Sequence, residues 1–269
     1  MERLPREFFD RPSTEVAPDL LGCVLWHDSQ AGLVAVRLVE VEAYQGATDP
    51  ASHAFRGQTA RNAVMFGPPG HVYVYFTYGM HFCVNLVCQP PGRAEAVLLR
   101  AGEVVAGTEL AARRRAREAD PGLESAALAG QAEVDRADEI DRGAAALGEI
   151  RALAGNGREP ANGRSIRPVD LARGPARLCQ ALAIDRGLDG ADVCAQGSPL
   201  GIGPGQPAAS GRAAISTGPR VGISQAADRP WRYWLAGDKH VSLYRPSKPR
   251  PARQKPVTSD RTGDGTMPQ

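Results

Sequence analysis

Leu33-Val34-Ala35-Val36-Arg37-Leu38-Val39-Glu40-Val41-Glu42-Ala43-Tyr44 is the stretch on which the fold turns. Valine and leucine dominate it, branched side chains suit a pleated strand, and residues two apart line one face. Read as one strand over 33–44, it projects Val34, Val36, Leu38, Glu40 and Glu42 to the same side, so two carboxylates end an otherwise apolar face. Working outward, residues 71–77 and 80–88 are aromatic and β-branched runs joined through Tyr78-Gly79, the pattern of a hairpin with a tight turn. Residues 95–101 predict another strand. Helices are predicted over 13–21, capped by Ser13 or Thr14 and ended by Gly22, and over 175–183, where Pro175 suits the first helical position. The fold class is α+β with a mainly antiparallel sheet.

The chain has 269 residues, 42% of them hydrophobic, enough to bury one large core or two small ones. No apolar run approaches the roughly 20 residues of a membrane span, and Met1-Glu2-Arg3-Leu4-Pro5-Arg6 lacks the apolar core of a signal peptide. A cytoplasmic location is therefore expected, with no membrane partner. Five cysteines without CxxC spacing read as reduced and mostly buried. The formal net charge of +2 neither requires nor excludes a nucleic-acid partner.

Aromatic residues occur only from Phe8 to Phe82 and from Trp231 to Tyr244, so the chemistry is expected in the aromatic first third. Residues 102–170 are rich in Ala, Gly, Arg, Glu and Asp, with helical runs at 108–118 and 133–153, and read as a surface insertion. Arg113, Arg114 and Arg115 could touch an anion there, but a solvated helical face is the preferred reading. Residues 245–256 carry five basic residues, four prolines and no acid, so 245–269 is expected to be a disordered basic tail after a single domain over 1–244.

Glu42 stands at the end of an apolar strand and close to Tyr44, where partial burial would favour a general-base role; the alternative is a solvated strand-end carboxylate. Glu40, without an aromatic neighbour, is its internal control. His53, Tyr73, Tyr75 and Tyr78 could stack a flat ligand, or serve as core aromatics. Asn85, inside an apolar strand, must find hydrogen-bond partners or read a ligand. Arg61, Asn62 and Arg177 are candidate phosphate contacts, since Arg forks and helix N-termini suit anions. The five histidines and five cysteines show no zinc-ligand spacing, so neither a metal nor a cofactor is expected. Gly201-Ile202-Gly203-Pro204-Gly205 has no helix after it and reads as a turn-rich connector rather than a phosphate loop.

Glu40-Val41-Glu42-Ala43-Tyr44, His53, Arg61-Asn62 with Met65-Phe66, Tyr73 to Met80, Asn85, Leu98-Leu99-Arg100, Gly174 to Leu182 and Arg220-Val221-Gly222-Ile223 together resemble the alkyladenine (3-methyladenine) DNA glycosylase family. The resemblance implies a single α+β domain whose curved antiparallel sheet is flanked by helices, like the C-terminal domain of methionyl-tRNA formyltransferase. It implies a base-excision-repair enzyme that flips alkylated or deaminated purines out of duplex DNA and hydrolyses the N-glycosidic bond, leaving an abasic site. The lesions would be of the 3-methyladenine, 7-methylguanine and hypoxanthine type. Glu42 would be the general base and Arg100 its catalytic partner. Tyr44, His53 and Tyr75 would enclose the base, and Asn85 would discourage guanine by crowding its 2-amino group. Tyr78 would wedge into the stack, with Thr59, Arg61, Met65 and Arg177 on the DNA. A monomer, nucleoid-associated if bacterial, is expected.

Lysine scarcity adds an argument of its own. Glycosylases that also cut the backbone usually attack through an amine, yet no lysine precedes Lys239; hydrolysis without lyase activity is predicted. Two rival readings stay open: a non-catalytic binder of damaged DNA using the same wedge and pocket, and a formyltransferase-like RNA-processing domain, which rests on fold analogy alone.

Overall fold

The decisive stretch forms β2 (Gly32–Gln45), a strand of 14 residues. Its length lets it serve three partners at once, all antiparallel. One edge takes β1 (Val24–Ser29) through residues 32–37 and β8 (Arg232–Leu235) through residues 40–42. The other edge takes β5 (Glu95–Ala106) along most of the strand. The sheet runs β3 (Val72–Thr77), β4 (His81–Cys88), β5, β2, β1, β6 (Leu200–Gly203), while β7 (Ile215–Gly218) pairs with β8. The computed structural model describes residues 1–77, 80–117, 166–205 and 214–246; the predicted helix over 133–153, Tyr78 and nearly all of the expected tail fall outside them. The architecture is α+β in a single domain, its antiparallel sheet curled and flanked by a few helices.

The predicted single face of β2 does not survive. Val34, Val36 and Leu38 enter the main core, but so do Val41 and Ala43, which requires a slip of one residue. The pairing with β5 shifts register between Leu38 and Glu40 and again between Glu40 and Val41. A bulge inserts one unpaired residue and turns every later side chain to the other face. Glu40, Glu42 and Tyr44 are thereby turned away from the aliphatic core. Alternation alone could not reveal this, because Val39-Glu40-Val41-Glu42 alternates cleanly across the irregular segment.

The main core lies between the sheet and the helices α1 (Arg6–Phe9), α2 (Ser13–Asp19), α3 (Thr108–Arg117) and α4 (Pro175–Leu182), which contribute Phe9, Val16, Ala111 and Leu178 among others. Pro12 rather than Ser13 occupies the N-cap of α2. The Ser13 hydroxyl is used elsewhere, on the Tyr44 carbonyl and the Glu95 carboxylate. Residues 102–117 of the expected insertion belong to the fold, and residues 118–165 of it lie outside the described residues. β5 continues through Ala106, and α3 packs on α4, with Arg114 donating to the Ala181 carbonyl. The Gly201 region is likewise no mere connector: β6 pairs with β1, and glycine is required because a Cβ on Gly201 would lie 2.4 Å from the Trp26 ring. All five cysteines are free, four of them buried.

Buried charge ties the sheet together where β2, β5 and β8 meet. Glu40, fully buried, accepts from Arg100 of β5 (2.8 Å), Arg232 of β8 (2.8 Å) and both the hydroxyl and backbone N–H of Ser242. Burial alone would push its carboxyl up, but Arg100, Arg232 and Ser242 hold it below the usual carboxylate range. Asp49 behaves alike: burial raises it, while the hydrogen bond and charge of Arg220 more than offset that. Removing one partner of such a pair leaves an uncompensated charge in the interior, at a cost of about 3–5 kcal/mol.

Two outcomes are expected. Both carboxyls sit below their unfolded values, so their contribution to stability is complete above the ordinary range near pH ~4 and is lost as pH falls through the depressed values. Urea midpoints should hold from neutrality to mildly acidic pH and then fall, and Glu40→Gln should lower the neutral-pH midpoint while flattening the acid decline. An acid profile identical in that variant would remove Glu40 from the account. Separately, a Cβ on Gly102 would meet the Arg37 carbonyl at 2.5 Å and a Val36 methyl at 2.3 Å. Gly102→Ala should therefore cost about 1–3 kcal/mol with an unchanged denaturant slope.

Candidate active site

The slip in β2 delivers Glu42 to the wall of a cavity of about 320 Å³, a size suited to a small planar ligand. Three donors converge on its carboxylate. The Tyr44 hydroxyl donates to Oε2 at 2.9 Å, the Val221 backbone N–H donates to Oε1 at 2.7 Å, and Arg100 Nη1 lies 3.3 Å from the same Oε1. The carboxylate is fully buried and lines the cavity as a fixed acceptor, the requirement for taking a proton from a water molecule.

Arg100 spans both carboxylates, its Nε on Glu40 and its Nη1 on Glu42. Burial disfavours its charge, but the two carboxylates outweigh that and raise its pKa. Both carboxylates are fully buried, but Glu40 is saturated by two guanidiniums, a hydroxyl and a backbone N–H, whereas Glu42 lines the cavity. The phenol of Tyr44 is held protonated, first by burial and then by the Glu42 charge, and stays a donor across the neutral range.

Aromatic side chains form the rest of the wall. His53 meets Tyr75 edge-on with centroids 4.6 Å apart, and Tyr73 and Tyr75 stack at 5.6 Å. The His53 Nδ1 is 3.1 Å from the Tyr73 hydroxyl. Burial, reinforced by Arg61, lowers His53, so its imidazole is neutral at pH 7. Asn85, opposite Tyr73 in the β3–β4 ladder, donates from Nδ2 to the Tyr73 carbonyl at 3.1 Å, which fixes its amide at the cavity surface. Glu42, Arg100, Tyr44, His53, Tyr75 and Asn85, singled out from distant parts of the sequence, all line this one cavity.

The expected DNA contacts fare differently. Met65 is only 3% exposed and belongs to the cavity wall rather than the surface. It lies on a 3-10 helix (Ala60–Phe66), where residues three apart eclipse, so Asn62 and Met65 both turn inward. Asn62, also 3% exposed, is no phosphate contact: it donates to the His53 and Gly57 carbonyls and accepts from the Thr59 N–H and hydroxyl. Thr59 therefore caps this helix. Arg61 remains exposed, with Nη2 on the Phe76 carbonyl at 3.2 Å. Arg177, on the first turn of α4, lies 3.8 Å from Asp170 and rims a second cavity of about 880 Å³ with Arg115, Arg167, Arg173 and Arg245. The two cavities share Arg100, Pro175 and Val221. Tyr78 is outside the described residues, though Thr77 and His81 pair across it.

Some contributors were not foreseen. Val221 acts through its backbone, which leaves no mark in side-chain identity; Arg220-Val221-Gly222-Ile223 stood out as a motif without a role. Ser52, Cys83 and Ala176 also line the wall, and a small or apolar residue in a wall has the same sequence signature as one in a core. Among the described residues no group of three His, Cys, Asp or Glu side chains comes together as a metal ion would require. None of the described helices is long and apolar enough to cross a membrane.

Comparison with known proteins places the chain in a family. The family model described as methylpurine-DNA glycosylase matches residues 7–239. A protein of Streptomyces avermitilis named "Putative 3-methyladenine DNA glycosylase" is 46% identical over 252 residues, 93% of this chain and 95% of its own. Proteins of the same name from Leifsonia xyli subsp. xyli and Burkholderia lata are 45% and 41% identical, each covering 89% of this chain and 92% and 90% of their own. The match spans the wall residues from Glu42 to Val221, and the chain belongs to the methylpurine-DNA glycosylase family of DNA-repair glycosylases.

Proposed function

We propose that this chain removes damaged purines, of the 3-methyladenine, 7-methylguanine and hypoxanthine type, from double-stranded DNA by flipping the nucleotide into the 320 Å³ cavity and hydrolysing the N-glycosidic bond. The observation that carries the reading is the Glu42 carboxylate, oriented by Tyr44, Val221 and Arg100 at the wall of an aromatic cavity. Glu42 takes a proton from water as the oxygen bonds to C1′ of the sugar. The C1′–N bond breaks, its electron pair leaves with the purine, and an abasic site remains. A base alkylated at N3 or N7 is already cationic; it departs as a neutral molecule and is attracted to electron-rich ring faces beforehand. A neutral base such as hypoxanthine must take up a proton as well.

Extruding a base costs a few kcal/mol, which an inserted side chain and stacking surfaces offset. Tyr44, His53 and Tyr75 are assigned to the stacking surfaces and Tyr78 to the wedge. Asn85 is assigned to guarding against the 2-amino group of guanine. The arginine-rich second cavity, joined to the first, and the exposed Arg61 supply anion contacts for the sugar–phosphate backbone; Arg177 belongs to this set. Among the described residues no lysine lines the catalytic cavity, and Lys239 is exposed outside it, which supports hydrolysis without a Schiff base.

The decisive test is release of free base from duplexes bearing one hypoxanthine or one methylated purine, with EDTA present and strand cleavage scored before and after alkali. Base release with breakage only after alkali is the expected outcome; borohydride trapping of a protein–DNA adduct would refute the monofunctional reading. Glu42→Gln should slow release by about 10²–10⁴-fold while still binding the lesion duplex. Tight binding by the parent enzyme with no release from any lesion would leave a damage binder instead. Asn85→Ala should raise excision of purines carrying a 2-amino group relative to hypoxanthine, measured by competition in one reaction; an unchanged ratio would free Asn85 of its assigned role.

A further inference from the structure

Beside the cavity wall, Arg220, the partner of Asp49, is buried to 1% exposure. Its Nη1 and Nη2 fork onto both oxygens of the fully buried Asp49 at 2.5 and 2.9 Å, and Nη1 also donates to the Ala43 carbonyl at 3.0 Å. The guanidinium centre lies 4.5 Å from the Tyr44 ring and 5.1 Å from the Trp231 ring. Its Nε has no acceptor among the described residues. A guanidinium placed only for ion pairing would be expected to satisfy that last donor; this one gives it up to lie between two rings.

The two hydrogen bonds made to separate oxygens of Glu42 both start from groups that Arg220 holds. Tyr44, whose hydroxyl donates to Oε2, is packed under the guanidinium. Val221, whose N–H donates to Oε1, is the next residue in the chain. Asp49 extends the tie to the opposite wall: it accepts from the Ala51 N–H, and its carbonyl accepts from the Ser52 N–H, in the loop that leads to His53. We propose that Arg220, seated by Asp49, is a positioning residue for base excision: it sets the phenol of Tyr44 and the N–H of Val221 on the two oxygens of Glu42. The inference rests on the reading of Glu42 as general base. Lysine cannot replace Arg220, because an ammonium neither forks onto a carboxylate nor lies flat on a ring.

The test is single-turnover base release from a lesion duplex, normalised to the fraction of enzyme that binds that duplex at stoichiometric concentrations, so that an unstable variant is read on its folded molecules. Arg220→Lys and, as a shape-conserving second variant, Asp49→Asn should each slow release by about 10–100-fold through misplacement of the catalytic group, with lesion-duplex affinity little changed. Combined with Glu42→Gln, neither should add a further loss, since a residue acting through Glu42 has nothing left to position. Normal release by both single variants would overturn the inference. So would a loss of equal size in the parent and Glu42→Gln backgrounds, which would mark an effect that does not pass through Glu42. A Glu42→Gln enzyme as active as the parent would instead sink the underlying reading of Glu42.

Discussion

Arg100 threaded between two buried carboxylates is the contact on which the rest of this structure depends. It joins β5 to β2 through Glu40 and reaches the cavity wall through Glu42. Among the described residues it is the cation paired with Glu42 and one of two paired with Glu40, and a buried ion lacking a partner is among the costliest things a fold can hold. Arg232 and Ser242 then complete Glu40, so that Arg100 can remain shared. Two chemically identical residues are thus placed differently: Glu40, surrounded by donors, holds strands together, and Glu42 lines the cavity, where the proposed chemistry would use it.

Aromatic rings and guanidiniums are used twice in the same molecule, in opposite senses. Inside the cavity, Tyr44, His53 and Tyr75 offer ring faces and edges to whatever enters. Behind it, Arg220 and Arg229 occupy ring faces already, packed over Tyr44 and Trp231. Tyr44 belongs to both sets, and its phenol reports on both, since it is the donor to Glu42.

Much of this was legible in the sequence where a local signal and a distant motif pointed to one place. The β2 strand, the β3–β4 hairpin and the Pro175 helix were read from periodicity and capping, and the six wall residues from motif order. The direction of Glu42 was not legible, because a bulge changes the face without changing the alternation of residue types. Met65 and Asn62 were misplaced because a 3-10 helix turns its residues on a period of three, and nothing in Ala60 to Phe66 announces that choice over an exposed loop. Val221 contributes a peptide N–H, which every residue but proline owns. Arg220 and Asp49 stand 171 positions apart, and no pattern within one chain links residues at that distance.

The slip within β2 has a consequence for how such a site can be inherited or moved. In a straight strand the pentapeptide Glu40 to Tyr44 would send its carboxylates into the aliphatic interior and its valine to the side of the cavity. Chemical competence therefore resides partly in parity: the number of residues between Gly32 and Glu42 matters as much as which residues they are. A chain that kept every motif letter but lost a single position between them would carry the vocabulary of the active site while facing it the wrong way.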